Sequence, residues 1–289
     1  MTVLVTGATG TNGLEVVRQT LERGGRVRAF VRDGASARGV LPPEVEIFEG
    51  DFAQRASVLR AMQGVERVFL LAAVHERMSE FELLFIDAAR EARVAHVVKF
   101  SAVGSHPASK TFFGRAHGRA ETALADSGLA YTILQPTFFM QNTLWSADSI
   151  QREGAIYNAT GAGASAHVDA RDIAAVAAAA LTEPIERHLG EIYQITGPKR
   201  LTWAEIAERF SRVLGRPVRH VNVPDDANRD SMVRQGGMPP WQAQAVLELE
   251  VRCRAGDFSA LTDVVERIGG RRPGTIDNFI RRHAASFGG

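Results

Sequence analysis

The chain has 289 residues, of which 45% are hydrophobic, and a formal net charge of +1 at neutral pH. This length and apolar content suffice for one large domain with a smaller lobe. A net charge this small gives no basic field for nucleic acid or for an anionic membrane surface, and no apolar run approaches the roughly 18 residues of a membrane span. A single cysteine excludes an internal disulfide framework, and with no signal-peptide pattern at the N-terminus we expect a cytoplasmic location.

The chain opens with a strand that runs into a glycine-rich turn. Val3–Val5 is a short apolar run, Leu14–Arg23 has the periodicity of an amphipathic helix, and Gly7-x-x-Gly10-x-x-Gly13 lies between them. These glycines would allow a sharp turn, approach of the backbone to a phosphate, and close helix–strand packing, respectively. Because a helix N-terminus offers unpaired N–H groups to an anion, the segment predicts a dinucleotide pyrophosphate site; a plain turn without a ligand is the alternative.

Strands and helices alternate through the first half of the chain. The predicted strands are Val3–Val5, Val27–Val31, Val45–Phe48, Val68–Leu71, His96–Ser101 and Tyr131–Gln135. The predicted helices between them are Leu14–Arg23, Ser57–Met62, Phe81–Ala92 and Gly118–Ser127. Strict alternation with continuously apolar strands predicts an α/β fold, a doubly wound parallel sheet of Rossmann type with helices on both faces.

The second half changes in character and is expected to form a smaller α/β C-terminal substrate lobe. Phe139–Arg152 predicts a helix, and the glycine- and alanine-rich segment Gly154–Ser165 predicts a loop or lid near a site. The remaining predicted elements are a helix from Asp169 to Leu181, a strand at Glu191–Ile195, a helix from the capping box Thr202–Glu205 to Leu214, a strand at Val218–Val223, and helices after Pro224, Pro239 and Thr275. The expected division is a dinucleotide-binding domain at 1–152 and a mainly helical lobe at 153–289, partly interleaved with the main sheet.

The end of the second strand bears on the choice of cofactor. Arg32 directly follows the apolar run, and Asp33 precedes a glycine. An acidic residue here would bind the ribose hydroxyl of NAD, whereas an arginine would accept the 2′-phosphate of NADP. Because guanidinium pairs bidentately with phosphate and Asp33 favours a turn, we expect NADP(H) over NAD(H); a solvated surface charge at Arg32 is the alternative.

A succession of short motifs runs through nearly the whole chain. The motifs are Thr6–Gly13, Val31-Arg32, Gly50–Phe52, Lys99–Ala102, His117–Glu121, Ser127–Pro136, Phe139–Asn142, His167–Ala174 and Gly270–Phe279. Their order is more specific than any one of them, and it resembles the NmrA-like family of atypical short-chain dehydrogenases. Within that family the chain is most similar to the quinone-reductase-like and iminium-reductase-like members.

The resemblance implies an NAD(P)H cofactor and a set of contacts to it. The implied contacts are Gly7, Thr9, Gly10, Thr11, Asn12 and Gly13 for the pyrophosphate, Arg32 for the 2′-phosphate, Asp51 and Phe52 for the adenine, Leu71, Ala72 and Ala73 for the cofactor ribose, Ser101 and Ala102 for the nicotinamide ribose, and Pro136, Thr137, Phe138 and Phe139 for the nicotinamide ring. From the residues alone, a plain turn at Asp51 is an equal alternative to the adenine contact.

The usual acid of short-chain dehydrogenases, Tyr-x-x-x-Lys, is absent, because none of the three tyrosines has a lysine four positions on. Where related reductases place a lysine, this chain offers Lys110, Arg115 and His117. His117 is the expected proton donor because imidazole titrates near neutrality; an exposed histidine at a helix start is the alternative.

Three further residues are expected to face the substrate: Phe139, Trp145 and His167. The first two belong to an aromatic set that would form an apolar wall or simply part of the core. That set is Phe112, Phe113, Phe138, Phe139, Trp145 and Trp241. For His167, which lies in a predicted strand, a purely structural role is the alternative.

These observations predict an NADPH-dependent oxidoreductase that transfers hydride to a flat conjugated electrophile, such as a quinone, an enone or an iminium. Such acceptors need no side-chain acid, and the cofactor carries the difficult step. A non-catalytic NAD(P)-binding redox sensor that acts through a protein partner is the alternative. No metal-ligand spacing occurs. We therefore expect no metal. We also expect a small aromatic or conjugated substrate, a monomer or homodimer, and neither nucleic acid nor membrane as a partner.

Overall fold

The computed structural model describes residues 1–289. Its strands are β1 (Thr2–Thr6), β2 (Arg26–Val31), β3 (Glu46–Glu49), β4 (Arg67–Leu70), β5 (His96–Phe100), β6 (Tyr131–Pro136), β7 (Ala155–Asn158), β8 (Ala164–Ser165), β9 (Ile192–Ile195), β10 (Leu201–Thr202) and β11 (Arg219–Asn222). Its α-helices are α1 (Thr11–Glu22), α2 (Gly34–Arg38), α3 (Arg55–Ala61), α4 (Met78–Glu91), α5 (Phe112–Asp126), α6 (Ala147–Glu153), α7 (Ala170–Thr182), α8 (Trp203–Leu214), α9 (Asp225–Arg234), α10 (Pro240–Arg254), α11 (Val264–Arg267) and α12 (Ile276–Arg282). None of these helices has the length and apolar character that crossing a membrane requires.

The chain forms two compact units, each built from several segments. The first unit comprises Met1–Pro136, Ala170–Ile195 and Val264–Arg271, and the second comprises Thr137–Asp169, Thr196–Asp263 and Arg272–Gly289. A single cut at residue 152 does not describe this division, because α7 and β9 lie beyond that cut yet belong to the first unit.

The first unit is built on a seven-stranded sheet in the order β3-β2-β1-β4-β5-β6-β9. All its neighbouring strands are parallel, which confirms the predicted doubly wound Rossmann sheet. The strand order reverses between β1 and β4. At such a reversal the carboxyl ends of two strands open a crevice, which is where open α/β sheets bind their ligands.

Helix α7 shows why the alanine-rich segment belongs to this sheet. All but two of its thirteen residues are buried, and it packs against α1 and against β4, β5 and β6. Alanine side chains allow helices to approach closely, so this sequence covers the middle of the sheet without bulky side chains.

The second unit contains two small strand pairs, β7 with β11 in parallel and β8 with β10 antiparallel. The prediction of a loop or lid at Gly154–Ser165 is therefore wrong, because this segment contains β7 and β8. Its glycines serve close packing instead: a β-carbon would lie 2.6 Å from the Pro217 carbonyl oxygen at Gly154 and 2.4 Å from that of Cys253 at Gly163. The predicted helix Phe139–Arg152 is a 3-10 helix over Met140–Ser146 followed by α6.

Helix α5 begins six residues before its predicted start at Gly118. The Thr111 side chain caps it by accepting a hydrogen bond from Gly114 N at 3.1 Å. Gly118 lies within this helix. Glycine is needed there because a β-carbon would lie 2.2 Å from the backbone of His106. His117 is consequently buried inside α5, so the alternative of an exposed histidine at a helix start is wrong.

Candidate functional site

The glycine-rich turn joins β1 to α1 at the reversal of strand order. Gly7 has φ +63°, and its carbonyl oxygen accepts from Gly10 N at 3.0 Å. A β-carbon on Gly13 would lie 2.1 Å from that same oxygen. The third glycine therefore permits the close approach of helix and turn that the motif predicts.

The outer side of this turn fits a dinucleotide pyrophosphate. A β-carbon on Gly10 would meet only Gly7 O, at 3.3 Å, so the space in front of it is open. The first turn of α1 has no acidic residue and no side-chain cap, which leaves its N–H groups for an anion. In addition, Asn12 Oδ1 is buried without a hydrogen-bond partner and can accept from a ligand. Thr9 and Thr11 are also exposed.

The residues after β4 lie directly beside this turn. Leu71 N donates to Thr6 Oγ1 at 2.7 Å, and Thr6 Oγ1 lies 3.0 Å from Leu71 O. Leu71 Cγ would lie 3.2 Å from a β-carbon on Gly7. Ala72 is buried and Ala73 is exposed. The structure thus brings Leu71–Ala73 to the glycine turn.

Arg32 and Asp33 differ sharply in their surroundings at the end of β2. Asp33 caps α2, where its carboxylate accepts from Ser36 N at 3.1 Å and from Ser36 Oγ at 2.5 Å. These hydrogen bonds hold the pKa of Asp33 below its usual value. Glu49 accepts from Gly34 N at 2.9 Å. Arg32 is exposed and has no ion pair or hydrogen-bond partner in the chain, so its guanidinium is free to bind an anion.

Asp51 and Phe52 follow β3 in a tight turn. A β-carbon on Gly50 would lie 2.5 Å from the Phe30 ring, so glycine is required there. Asp51 Oδ1 accepts from Ala53 N at 2.9 Å. The half-buried Phe52 ring packs edge-on against Phe30, with ring centroids 5.3 Å apart. The aromatic ring is therefore fixed in place, while Asp51 also serves the turn.

Ser101 and Ala102 follow β5, and Ser101 belongs to a polar network. Ser101 is buried and donates to Glu121 Oε1. The same oxygen accepts from Gln135 Nε2 at 2.9 Å. Pro136, at the end of the neighbouring strand β6, accepts from Val103 N at 3.1 Å. These contacts fix the carboxyl ends of β5 and β6 relative to each other.

Beneath this edge, three titratable side chains from α4, β5 and α5 meet in the core. Lys99 and Glu82 are fully buried, with Lys99 Nζ 2.9 Å from Glu82 Oε1. Lys99 Nζ also lies 3.1 Å from His117 Nδ1. Burial, and then the charge of Lys99, hold the pKa of His117 well below its usual value. Burial raises the pKa of Glu82, and Lys99 opposes that shift.

The Glu82–Lys99 pair has no counterpart among the predicted site residues. A signal was present, because Lys99 interrupts the otherwise apolar end of a strand expected to be covered on both faces. A buried lysine needs a partner. The partner lies on another helix, however, and the sequence alone does not indicate which carboxylate it is.

The remaining predicted residues lie in the second unit. The His167 ring stacks on Phe138 with centroids 5.8 Å apart and meets Trp203 edge-on at 5.2 Å. Burial lowers the pKa of His167 to about 4, and its Nε2 is buried without a partner. Thr137 Oγ1 donates to Ala166 O at 2.5 Å. Phe139 forms a β-bridge with Val168.

Trp145 is distinct from this aromatic cluster. It lies in the 3-10 helix Met140–Ser146 and is 66% exposed. An indole ring with this much free surface has contact area left for another molecule. Elsewhere in the chain, no group of three or more His, Cys, Asp or Glu side chains is arranged to hold a metal ion.

Comparison with known proteins places the chain in a family. Residues 7–184 match the NAD(P)H-binding family. The chain is 37% identical over 286 residues to the NAD(P)H azoreductase of Xenophilus azovorans, covering 99% of both chains. It is 35% identical over 288 residues to the (4-alkanoyl-5-oxo-2,5-dihydrofuran-3-yl)methyl phosphate reductase of Streptomyces griseus, again covering 99% of both.

A solved structure shows the same fold. The NADPH-dependent quinone oxidoreductase of Escherichia coli, in complex with NADPH, superposes with a TM-score of 0.88 at 24% identity, covering 97% of this chain and 99% of that one. The chain therefore belongs to the NAD(P)H-binding family, among the NmrA-like atypical short-chain dehydrogenases.

Proposed function

We propose that this chain is an NADPH-dependent reductase that transfers hydride to a flat conjugated electrophile, such as a quinone, an enone or an iminium. The coarser statement, NAD(P)H-dependent oxidoreductase, holds independently, because full-length relatives at 35 and 37% identity are reductases. The observation that carries the proposal is the open glycine turn at the reversal of strand order, with free Arg32 at the end of the next strand. Neither of these two relatives is named as a redox sensor, so they do not support the sensor alternative.

The chain's own residues would hold the cofactor in the first unit. Gly7–Gly13 would bind the pyrophosphate, Leu71–Ala73 would line a ribose, and Asp51 and Phe52 would border the adenine. Ser101 and Ala102 would border the nicotinamide ribose. When bound, NADPH supplies the hydride, and the protein's task is to hold and orient the reacting groups.

Preference for NADPH over NADH rests on how three charged side chains are used. The two carboxylates near the expected ribose, Asp33 and Glu49, already accept backbone N–H groups at the start of α2. Arg32 has no such partner. A guanidinium without a partner would attract a 2′-phosphate, whereas the two engaged carboxylates have less capacity to accept from a ribose hydroxyl.

The proposed substrate class rests on the acid that is missing. On α5, Phe113 and His117 have the four-residue spacing of a Tyr-x-x-x-Lys pair, but phenylalanine has no hydroxyl to donate. Reduction of a simple ketone to an alcohol depends more on a proton from a side-chain hydroxyl than reduction of a conjugated electrophile does. The relatives' names describe reduction of an azo compound and of a dihydrofuranone phosphate.

The side chains proposed to meet the nicotinamide or the substrate are Pro136, Thr137, Phe138, Phe139, Trp145, His117 and His167. His117 remains the proposed polar contact to the reacting substrate, although its lowered pKa makes it neutral at physiological pH. A small aromatic or conjugated substrate, a monomer or homodimer, and a cytoplasmic location complete the proposal.

Turnover of a substrate panel tests this function. Oxidation of NADPH is followed at its near-ultraviolet absorbance with quinones, enones, preformed iminium ions and simple ketones. We expect turnover with at least one conjugated class and at least about tenfold lower kcat/KM with simple ketones, a difference of about 1.4 kcal/mol. Tight NADPH binding without turnover of any conjugated substrate, or preference for simple ketones, would overturn the proposal.

A further inference from the structure

The buried ammonium group of Lys99 has three acceptors around it. Its Nζ donates to the backbone carbonyl of Phe100, lies 2.9 Å from Glu82 Oε1, and lies 3.1 Å from His117 Nδ1. All four residues belong to the first unit. An ammonium group has protons and no lone pair, so it can donate to Phe100 O and His117 Nδ1 while it forms an ion pair with the Glu82 carboxylate.

This arrangement fixes which nitrogen of His117 carries the proton. If Nδ1 accepts from Lys99, it must present its lone pair, and the proton of a neutral imidazole is then on Nε2. A second proton on Nδ1 would face the ammonium directly, which agrees with the depressed pKa of His117. Nε2 has no hydrogen-bond partner in the chain, and the His117 side chain is 9% exposed.

We propose that Lys99, held by Glu82, fixes His117 as the neutral Nε2–H tautomer, so that His117 serves the reaction as a hydrogen-bond donor and keeps its own proton. Lys99 and Glu82 are then positioning residues, and His117 is the residue that contacts substrate. This inference rests on the proposed function for its substrate, but the tautomer is a property of the chain alone.

The tautomer selects among the proposed substrates. An Nε2–H can donate only to an atom with a free lone pair. Carbonyl oxygens of quinones and enones have such pairs, and they gain negative charge as the conjugated system accepts hydride from the reduced nicotinamide. His117 would stabilise that oxyanion, which then takes a proton from water. An iminium nitrogen has no lone pair and is cationic, so Lys99 would repel it. The geometry therefore favours quinones and enones over iminium ions.

The tautomer is measured directly by nitrogen-15 NMR of the wild-type chain with labelled histidine. We expect His117 to show a protonated Nε2 and an unprotonated Nδ1 between about pH 6 and 8. The His117 signal is assigned by its absence from the spectrum of the His117→Gln variant. The buried His96, whose Nε2 donates to Thr132 Oγ1, is an internal reference for a protonated Nε2. A proton on Nδ1, or an imidazolium in this range, overturns the proposal without any variant of Lys99.

Kinetics of Lys99→Met test the positioning role. With the ammonium removed, we expect kcat for quinones and enones to fall about 10- to 100-fold, as when one donor to a developing oxyanion is weakened. Turnover of an iminium ion should not fall, because the variant also removes a positive charge that repels this substrate. The neutral tautomers of His117 should mix in the NMR spectrum. Lys199→Met, at an exposed lysine of the second unit, is the matched control and should change neither. An equal fall for all substrates with the tautomer unchanged would overturn the positioning role.

Failure of this inference is distinguishable from failure of the proposed function. If the wild-type chain reduces no quinone and no enone, the proposed function fails, and the NMR spectrum still accepts or rejects the tautomer. If the wild type reduces quinones while His117 carries its proton on Nδ1, the proposed function stands and the role of Lys99 is refuted.

Discussion

A β-carbon on Gly13 would lie 2.1 Å from the carbonyl oxygen of Gly7. The oxygen belongs to the backbone of the turn, and the β-carbon would be attached to the backbone of α1. Neither atom could therefore move away without opening the turn from β1 into α1. Gly13→Ala should therefore lower the free energy of unfolding by about 1–3 kcal/mol, as overpacking does, measured by urea denaturation. Gly39→Ala, where a β-carbon would meet Ser36 O at 3.5 Å, is the control. Equal losses in the two variants would contradict this account of the motif.

Gly10→Ala separates cofactor binding from folding. Its β-carbon would meet only Gly7 O, at 3.3 Å, on the side where the pyrophosphate is proposed to bind. We expect the Kd for NADPH to rise about tenfold or more, a loss of at least 1.4 kcal/mol, with the free energy of unfolding changed by less than about 1 kcal/mol. Titration of NADPH fluorescence measures the Kd. Unchanged affinity would place the pyrophosphate elsewhere.

Arg32→Gln tests the proposed preference for NADPH. Removing a charged donor to phosphate costs about 1.5–3 kcal/mol, so the Kd for NADPH should rise roughly 10- to 100-fold. The Kd for NADH, which lacks the 2′-phosphate, should stay nearly constant. Arg26→Gln, at the other end of the same strand, is the matched control. Equal weakening of both cofactors by Arg32→Gln would show that Arg32 does not read the 2′-phosphate.

The parts of the site that are local in sequence could be predicted, and those that depend on packing between distant segments could not. Gly7, Gly10 and Gly13 act within one turn, so their spacing indicates their roles before any tertiary structure is known. The sequence does not predict the start of α5, because Gly118 suggests a helix boundary. In the structure, the missing side chain of Gly118 makes room for the backbone of His106. That contact is tertiary.

The same reason explains the two larger differences. Small residues at Gly154–Ser165 have the composition of a loop, but in the folded chain two of them admit the carbonyl groups of Pro217 and Cys253 at close range. The partner of Lys99 is Glu82 on α4, and any carboxylate on a covering helix satisfies the sequence pattern equally well. In both cases the deciding contact joins segments that sequence periodicity does not connect.

Removing Lys99 should make stability depend on pH in a defined direction. Lys99→Met leaves Glu82 buried without its cation, and breaking a buried pair costs about 3–5 kcal/mol. Burial already raises the pKa of Glu82, so in the variant the folded state must hold a proton that the unfolded state releases above its ordinary carboxyl pKa. The loss relative to wild type should therefore grow as pH rises from about 5 to 8.

The double variant Lys99→Met/Glu82→Gln is the control for this effect. With no carboxyl group to protonate at position 82, it should lack the fall in stability with rising pH that Lys99→Met shows in that range. It should also be more stable than Lys99→Met at about pH 8, because the uncompensated charge is gone. Urea unfolding at several pH values measures both differences. Parallel curves for the single and double variants would show that Glu82 does not carry the effect.

His96 should make the first unit sensitive to mild acid. It is buried at the start of β5, and its Nε2 donates to Thr132 Oγ1 at 2.9 Å, because Thr132 uses its own proton to bind His188 O at 2.7 Å. A second proton would go to Nδ1, which is buried without an acceptor. Burial, then the charges of Arg67 and His188, lower the pKa of His96 to about 4.

The unfolded chain therefore binds a proton at this histidine below about pH 6.5, whereas the folded chain binds it only near its lowered pKa. Full stability is present above that pH, and it falls as the pH drops toward 4. Between pH 7 and 5.5 this residue alone should cost about 1 kcal/mol. His96→Gln should lose that part of the slope, whatever its stability at pH 8, whereas His75→Gln, at an exposed histidine, should retain it. Urea unfolding across this range decides, since an unchanged slope in His96→Gln would mean that His96 takes up its proton equally in both states.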